Sequence, residues 1–538
     1  MSMEDEAQAI PDDGSSAPHD LDADLAAGGT RQLLAARRER LNALRAAGED
    51  PFPVRSQRNH ATADAILSFE TLEQADSEHE EGPTDVVVTG RLVGAVRDMG
   101  GSVFVHLADA SGRLQLHLRR ARMGREDHDR FKATIDAGDI VEARGAMFRT
   151  RKGEVSLAVD KVRILAKSLR PLPNKVGGLA DTETRLRQRY LDLMVNEETR
   201  ARFAARSRIV SAMRRYLDER GFLEVETPTM QPLYGGGAAR PFTTHYHALD
   251  QTMYLRIADE LYLKRLLVGG FEKVYEICKD FRNEGIDRTH LPEFTMMECY
   301  WAYADYRDMM RLTEHMVAEV AEKALGTLTV EYEGHAIDLS PPWRRLTVRD
   351  AILQSTKIDI GEAETLEALR AEIRRLGLAV ATQPTWAKTV DALIGEYVEP
   401  AIVQPTFLMD HPVALSPLAK RKPDDPRYAE RFEPLVAGFE LGNAFSELND
   451  PDEQRARFEE MGLQREAGDD EAHPLDEDFL EALAHGMPPT GGLGIGIDRL
   501  VMLLTGTPNI REVVLFPQLR VVQDPASSDD GEAADVDS

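Results

Sequence analysis

The feature that most constrains this chain is the stretch from Phe281 to Tyr306, FRNEGIDRTHLPEFTMMECYWAYADY. Its ends alternate like β-strands and its middle is rich in turn residues, so it predicts a strand, a loop and a second strand. Residues two apart share a strand face, which pairs Arg282 with Glu284 and Glu298 with Tyr300. An arginine at one end and a carboxylate at the other suit a cationic α-amino acid activated on a phosphate. A surface hairpin with paired charges is the alternative.

Length and composition indicate a multidomain cytoplasmic protein. The 538 residues exceed what one hydrophobic core supports and predict about two to four domains. With 42% hydrophobic and 29% charged residues, the composition is that of an ordinary globular protein. No apolar run approaches the roughly 20 residues that span a bilayer, and the first thirty residues lack a secretory signal. Cys278 and Cys299 lie in apolar segments and are predicted to be buried thiols, which fits a cytoplasmic location.

The net charge of −28 would by itself argue against a nucleic-acid partner. The charges are distributed unevenly along the chain, however, and this changes the conclusion. Residues 1–30 carry eight acidic side chains and residues 521–538 carry six, with no Lys or Arg in either segment. Both segments are predicted to be disordered acidic tails. Residues 87–170, by contrast, hold 17 Lys/Arg against 10 Asp/Glu. One domain is therefore basic within an acidic protein.

A helical region and a linker, residues 31–84, precede the basic domain. The leucines of Arg31–Ala47 recur at mostly helical spacing with arginines between them, which predicts a basic amphipathic helix. This helix either packs on its own domain or contacts an RNA backbone. Residues 70–85 are acidic and polar and are predicted to be linker.

Residues 85–168 change to a hydrophobic period of two and predict five short strands separated by turn signals. A helix is predicted at Glu126–Asp136, before the fourth strand, which is the pattern of a small closed barrel of the OB type. Such barrels bind single-stranded nucleic acid through aromatic and basic side chains on one strand face. The candidates for this face are Arg91, Phe104, His106 and Gln115. Phe104 as a plain core residue is the alternative.

A hinge and a helical region follow the barrel. Residues 169–182 are rich in Pro and Gly and predict an ordered hinge. Helices are predicted at Thr184–Leu193 and Glu198–Arg220. The strand that follows is expected to stop at Pro228, where the chain can no longer donate to a ladder. A long helix and a short strand are compatible with many α+β folds, so this unit alone defines no function.

A run of three glycines, Gly235–Gly237, comes next. Glycines let a backbone approach a ligand closely, so the run predicts a binding loop, with a mobile surface turn as the alternative. Glu260 then stands at the start of a helix and is flanked by apolar residues. A carboxylate there either complements the helix dipole or holds an ammonium group.

Two later segments complete a set of motifs: FELGNAFSEL at Phe439–Leu448 and GGLGIGIDR at Gly491–Arg499. Together with the helix and strand before Pro228 and the stretch Phe281–Tyr306, they resemble the three signature motifs of class II aminoacyl-tRNA synthetases. The resemblance is closest to the lysyl-tRNA synthetases of the bacterial type. It covers about residues 31–520, and motifs in this order are far more specific than a lone glycine motif.

The resemblance implies a fold class, a reaction and partners. It implies an α+β protein with an N-terminal OB-fold β-barrel that binds the anticodon. Residues 183–520 are then an antiparallel sheet flanked by helices, with a helical insertion at about 346–405. The implied reaction uses ATP and Mg²⁺ to activate L-lysine as lysyl-adenylate and then transfers lysine to the terminal adenosine of tRNA(Lys). The implied assembly is a homodimer with the region around Pro228 at its interface, and no membrane is involved.

The resemblance also implies the site residues. The implied lysine site comprises Gly236, Glu260, Arg282, Glu298, Tyr300, Asn443, Phe445 and Glu447. The implied ATP site comprises Arg282, Glu284, His290, Phe294, Glu433, Glu440 and Arg499. Within these sets, Glu433 and Glu440 are the implied Mg²⁺ ligands, and Arg282 and Arg499 are the implied catalytic residues.

Elementary chemistry agrees with these assignments. The in-line attack of a carboxylate on phosphorus needs positioning and charge stabilisation, which Arg282 and Arg499 can supply. Two carboxylates and a phenol, Glu298, Glu447 and Tyr300, can enclose an ammonium group, which is tolerated in a buried site only when it is paired. The alternating glycines of the last motif are expected to keep side chains clear of bound ATP.

Three alternatives stay open. Synthetases for aspartate or asparagine share the architecture but need a cation in the side-chain pocket, and none of the aligned residues supplies one. A paralogue that transfers lysine to a protein is disfavoured because such relatives lack the barrel. An RNA-binding protein with an inactive fold would have lost Arg282, Arg499, Glu433 or Glu440, and all four are present. One departure from many relatives is Leu291 in place of Asn, so this residue is left out of the site.

Overall fold

The computed structural model describes residues 28–75, 83–173, 179, 181–466 and 474–520, with only the backbone for 28–30 and 464–466. The predicted acidic tails, apart from residues 28–30, lie outside the described residues, as do parts of the predicted linker and hinge. The chain divides into two compact units between residues 178 and 179. In the described part of the chain, no helix combines the length and apolar character that crossing a membrane requires.

The first unit is a β-barrel with four helices in its described residues. Its helices are α1 (Gly28–Ala46), α2 (Thr62–Ala75), α3 (Arg120–Met123) and α4 (Arg125–Thr134), and its strands are β1 (Val86–Asp98), β2 (Ser102–Ala108), β3 (Arg113–Arg119), β4 (Ile140–Arg149) and β5 (Val155–Ala166). The strands close in the order β1-β2-β3-β5-β4. Alternate residues of β2, Val103, Val105 and Leu107, are buried inside, as a half-buried strand requires. The OB-type barrel predicted from the sequence is confirmed.

Helix α1 packs on this unit. Leu41 and Leu44 are buried, and the Arg37 guanidinium donates to the backbone carbonyls of Ser168 and Arg170 at 2.9 Å. Of the two readings of the basic helix, packing on its own domain is therefore observed. The prediction of a linker from residue 70 is wrong at its start, because α2 continues to Ala75 with Phe69 buried against the barrel core.

The second unit is built on a large sheet with helices around it. Its helices are α5 (Thr182–Arg187), α6 (Arg189–Val195), α7 (Glu197–Asp218), α8 (Glu260–Val268), α9 (Tyr306–Leu325), α10 (Val348–Thr356), α11 (Leu366–Leu376), α12 (Trp386–Leu393), α13 (Pro451–Glu466), α14 (Glu477–Ala484) and α15 (Ile497–Leu504). Its strands are β6 (Leu223–Glu224), β7 (Met230–Gln231), β8 (Thr243–Tyr246), β9 (Gln251–Leu255), β10 (Lys273–Phe281), β11 (Glu293–Ala302), β12 (Thr329–Tyr332), β13 (His335–Asp338), β14 (Arg344–Thr347), β15 (Thr406–Met409), β16 (Arg431–Val436), β17 (Phe439–Glu440), β18 (Gly442–Ser446) and β19 (Thr490–Gly496).

The main sheet runs in the order β14-β15-β16-β18-β19-β11-β10-β6, with β17 paired to β16. Its centre is antiparallel, whereas the pairs β14–β15 and β6–β10 at the two edges are parallel. The predicted helix-flanked antiparallel sheet is thus confirmed, with parallel pairing confined to the edges. Helices α7, α9 and α15 cover one face with a shared apolar core. Met297 and Cys299 of β11 point into this core, so Glu298 and Tyr300, which alternate with them, face the other side.

Three local expectations were wrong. Strand β10 ends at Phe281, so Arg282 and Glu284 lie in the loop that follows and do not share a strand face. The strand before Pro228 is only the two-residue β6, because the chain leaves the sheet after Glu224. The first predicted helix of this unit is broken at Gln188 into α5 and α6.

The predicted insertion forms its own small core. Helices α10, α11 and α12 and a following π-helical turn bury apolar side chains such as Ile352, Leu369 and Val390 against one another. Cys278 and Cys299 are both buried free thiols, as the sequence predicted.

Candidate active site

Three neighbouring strands of the main sheet bring the predicted residues into rows. Gly494 of β19 pairs with Glu298 of β11 on one side and with Asn443 of β18 on the other. Two residues earlier in β19, Gly492 pairs with Tyr300 of β11 on one side and with Phe445 of β18 on the other. The rows form the floor of a cavity of about 440 Å³. It is lined by all the residues of the predicted lysine and ATP sites: Gly236, Glu260, Arg282, Glu284, His290, Phe294, Glu298, Tyr300, Glu433, Glu440, Asn443, Phe445, Glu447 and Arg499.

Gly492 of β19 makes room for protein side chains. A Cβ on Gly492 would lie 1.9 Å from Glu447 Oε1 and 2.7 Å from Tyr300 Cε1. A Cβ on Gly494 would lie 3.1 Å from Met296 Cε and 3.5 Å from Glu298 Cγ. Gly492 therefore allows Glu447 and Tyr300 to reach the cavity floor. That the glycines of β19 also keep the strand clear of ATP stays a prediction.

We call Glu298, Tyr300 and Glu447 the acidic end of the cavity. Tyr300 Oη donates to Glu298 Oε2 at 2.9 Å, and both carboxylates are buried, with Glu447 1% exposed. Burial, followed by the nearby acids Asp259 and Glu260, raises the pKa of Glu298 well above its usual range. Burial likewise raises the pKa of Glu447 well above normal, and Lys264 only partly offsets this effect. A ligand with an ammonium group would stabilise the ionised forms of these carboxylates.

Lys264 is a residue that the sequence reasoning missed. It lies one turn after Glu260 in α8, is fully buried, and places Nζ 2.5 Å from Glu260 Oε1 and in an ion pair with Glu447. Burial opposes its charge, but the two carboxylates outweigh burial and raise the pKa of Lys264. The four-residue spacing from Glu260 was the only available signal, and it is common to many exposed helix pairs. A cation does therefore adjoin the side-chain pocket, although two carboxylates neutralise it.

Arg282 stands at the other end, in the loop after β10. Its guanidinium carbon lies 5.2 Å from the centre of the Phe294 ring, and its Nη2 adjoins the glycine loop, 3.8 Å from where a Gly237 Cβ would be. Its Nε is buried without a hydrogen-bond partner among the described residues. Asn443 accepts a hydrogen bond at Oδ1 from Arg431 Nε at 2.9 Å, which leaves its amide NH₂ to donate. These donors suit a carboxylate or a phosphate.

Arg499 lies beside the predicted nucleotide residues. Its Nη2 lies 2.8 Å from His290 Nε2, and its Nη1 donates to the Glu440 carbonyl at 2.9 Å. His290 Nδ1 is 2.8 Å from Asp287 Oδ2. Because the guanidinium can only donate, His290 Nε2 is the acceptor, and the ring proton lies on Nδ1 toward Asp287.

Glu433 and Glu440 form an anionic group that fits a hard divalent cation. Burial and then the Glu433 carboxylate raise the pKa of Glu440, and burial with these two carboxylates raises the pKa of Glu399 to about 7. Arg431 offsets part of this charge through a 2.6 Å ion pair with Glu433. Oxygen donors with repelling charges suit Mg²⁺, which binds few carboxylates and keeps several waters. Arg431 and Glu399 were not predicted, because neither lies in a signature motif.

The candidates for nucleic-acid contact lie on one outer face of the barrel. Phe104 pairs with His117, His106 with Gln115, and Arg91 with Ala108 across the strands. Phe104 is partly exposed and stacks on His117 at 4.2 Å, so it is not the core residue of the alternative reading. Arg91 Nη1 donates to the Gly138 carbonyl at 2.8 Å. His106 and Gln115 both contact the Glu154 carboxylate, at 2.9 and 2.7 Å.

Comparison with known proteins agrees with both units. Residues 181–520 match the family model of class II tRNA synthetases for D, K and N, and residues 86–165 match that of the OB-fold nucleic acid binding domain. The chain therefore belongs to the class II aminoacyl-tRNA synthetases.

Similar proteins narrow the class. The lysine–tRNA ligase of Roseiflexus sp. (strain RS-1) is 56% identical over 489 residues, which cover 91% of this chain and 99% of that protein. The lysine–tRNA ligases of Halalkalibacterium halodurans and Bacillus subtilis are 50% and 49% identical, over 93% and 90% of this chain and 99% and 97% of those proteins. Within the class, the chain belongs to the lysine–tRNA ligase family.

We expect Gly492→Ala to destabilise the second unit by about 1–3 kcal/mol, because the new methyl group would overlap the Glu447 carboxylate in a packed site. Calorimetric unfolding measures the effect. The matched control is Gly462→Ala in α13, where no atom lies within 4 Å of the added Cβ and a small stabilisation is expected. Equal behaviour of the two variants would show that Gly492 is not constrained by its neighbours.

Proposed function

We propose that the protein activates L-lysine with ATP and transfers it to tRNA(Lys). The acidic end of the cavity carries this proposal, since Glu298, Glu447 and the Tyr300 hydroxyl converge where a long cationic side chain would end. A site that holds buried carboxylates for an ammonium group rejects analogues without the amine much more strongly than one methylene group could achieve. Family membership and the high identity to lysine–tRNA ligases support the same substrate.

The positions of the two ends define the first step. With the ε-ammonium at the acidic end and the α-ammonium at Glu260 and the Gly236 loop, the carboxylate of lysine faces Arg282 and Asn443. A carboxylate oxygen attacks the α-phosphorus of ATP, and the bond to pyrophosphate breaks in line. Arg282 stabilises the charge that develops on phosphorus, since its fork can contact carboxylate and phosphate together.

The nucleotide would lie between Phe294 and Arg499, with His290 and Glu284 at its edge. Stacking between a ring and a guanidinium binds both faces of a purine and requires few hydrogen bonds to its edge. Glu433 and Glu440 would hold Mg²⁺, which when bound neutralises charge on the triphosphate. Leu291 is buried and lines the same cavity, where its apolar side chain supplies packing.

In the second step a hydroxyl of the 3′-terminal ribose of the tRNA attacks the lysyl carbonyl carbon, an ester forms, and the bond from this carbon to the phosphate oxygen breaks to release AMP. The barrel would bind the anticodon through Arg91, Phe104, His106 and Gln115, and its positive charge balance supports an RNA partner. We further propose a homodimer joined around Pro228 and a cytoplasmic location, where the tRNA substrate is found. We also propose the domain boundaries that the sequence predicts: the barrel at residues 85–168, the hinge at 169–182 and the catalytic domain at 183–520.

ATP–pyrophosphate exchange driven by amino acids tests the function. We expect exchange with lysine and none with aspartate or asparagine, and lysine transfer to tRNA rather than to protein. Exchange with aspartate alone would contradict the assignment of the acidic end. Absence of exchange with every amino acid would instead favour the inactive RNA-binding fold.

We expect Glu447→Gln to weaken apparent lysine binding by about 2–5 kcal/mol, because one partner of a buried charge pair is removed. The KM for ATP should change far less. Steady-state exchange kinetics measure both constants, and Glu460→Gln, an exposed carboxylate on α13, is the control. Parallel losses for lysine and ATP would contradict the role given to Glu447.

We expect Phe104→Ala to raise the KM for tRNA by an amount equivalent to about 1–3 kcal/mol, the usual contribution of a stacked base. Exchange without tRNA should be unaffected. Aminoacylation kinetics measure the effect, with Leu67→Ala, an exposed apolar residue of α2, as the control. An unchanged KM for tRNA would remove Phe104 from the interface.

A further inference from the structure

Two carboxylates of the proposed lysine site share a cation that belongs to the protein. Lys264 Nζ lies 2.5 Å from Glu260 Oε1 and forms an ion pair with Glu447 Oε2. The same nitrogen lies 5.3 Å from the centre of the Phe445 ring and 6.0 Å from that of Tyr300. Glu260 and Glu447 line the cavity, and the fully buried Lys264 side chain lies behind them.

Each carboxylate uses one oxygen for Lys264 and keeps the other. Glu447 Oε2 pairs with Lys264, whereas Oε1 is directed toward Gly492, whose added Cβ would lie only 1.9 Å away. Apart from the ion pair between Oε2 and Lys264, the Glu447 carboxylate has no partner among the described residues. Lys264 therefore holds the carboxylate from behind and leaves its other oxygen available to a ligand in the cavity.

The formal charges show what this arrangement achieves. Glu260, Glu298 and Glu447 together carry three negative charges when ionised, and the lysine substrate brings two ammonium groups. Its carboxylate faces Arg282 at the far end. Without Lys264, one buried carboxylate would be left without a cation, which is costly in a low-dielectric site. Lys264 cancels this excess.

We propose that Lys264 is a positioning and specificity-determining residue, a fixed internal counter-ion that leaves Glu260, Glu298 and Glu447 with two negative charges to match the two ammonium groups of lysine. This inference rests on the proposed function of the cavity. An amino acid with a neutral side chain brings one ammonium group and leaves one negative charge unpaired. Lys264 thus contributes to selectivity without contacting the substrate.

The competing explanation is that Lys264 only stabilises helix α8 and the fold. Its pair with Glu260 at a spacing of four residues is a common helix feature. The two explanations differ in pH dependence. The groups that face Nζ are Glu260 at the start of its own helix, Glu447 after β18, and Tyr300 on β11. Two more charged groups act on these carboxylates: Arg431 of β16 lowers the pKa of Glu260, and Glu298 of β11 lies close to Glu260. Without a cation beside them, Glu260 and Glu447 would hold protons that lysine must displace.

We expect Lys264→Met to raise the KM for lysine roughly tenfold or more at pH 7, with the KM for ATP nearly unchanged. The defect should shrink as the pH is raised toward about 9, because the carboxylates then ionise without help. Exchange kinetics between pH 6.5 and about 9 measure this. Lys323→Met, an exposed lysine in the last turn of α9, is the matched control and should behave as the parent protein.

An unchanged or lower KM for lysine, or a defect independent of pH, would overturn the proposal. Should the variant fail to fold, Lys264→Arg, which keeps the charge, provides the test. We expect Lys264→Arg and the parent protein to have similar KM values for lysine, and lysine binding to release a similar number of protons from each at pH 7, which calorimetry counts. A large loss of lysine binding in Lys264→Arg would show that the site does not use the charge of Lys264. If Glu447→Gln loses lysine selectivity but the Lys264 variants show none of the effects expected of them, only the role of Lys264 is rejected. If Glu447→Gln keeps its selectivity for lysine, the lysine site itself is rejected.

Discussion

A buried carboxylate stays ionised only when a cation lies against it, and this constraint governs the second unit of the protein. Burial raises the pKa of Glu260, Glu298 and Glu447, which share one cavity wall. Lys264 supplies one compensating charge from within the fold. In the proposed site, the remaining negative charge is available to the substrate. The burial that raises the pKa of these carboxylates would then favour an amino acid with two ammonium groups.

The main sheet supplies the geometry that this electrostatic arrangement needs. Its antiparallel register sets Glu298 level with Asn443, and Tyr300 level with Phe445, with a glycine of β19 between each pair. A side chain on the central strand would fill the space where the acidic end converges. The opposite face of the same strands is anchored in the apolar core under α7, α9 and α15, which fixes the floor rigidly. Under the proposed function, this sheet positions the substrate for attack, and no covalent intermediate with the protein is required.

Most residues of this site could be predicted from the sequence, because they lie in short motifs or in strands with an alternating pattern. Alternation in β11 placed Glu298 and Tyr300 on one face, and the motif resemblance supplied the other predicted residues that line the cavity. Arg282 was placed on a strand wrongly, since alternation alone does not show where a ladder ends. Lys264 was missed because its contact with Glu447 joins residues far apart in the chain, and its spacing from Glu260 is typical of many helices. The room that Gly492 leaves for Glu447 and Tyr300 depends on neighbouring strands, so the glycine motif alone could not show it.

A crystal structure of the protein with bound lysine tests the central claim most directly. We expect the ε-nitrogen within about 3.2 Å of carboxylate oxygens of Glu298 and Glu447, and the lysine carboxylate at the Arg282 guanidinium. Lysine bound in the reverse direction, or with its ε-nitrogen away from both carboxylates, would contradict the matching of two ammonium groups to the acidic cavity.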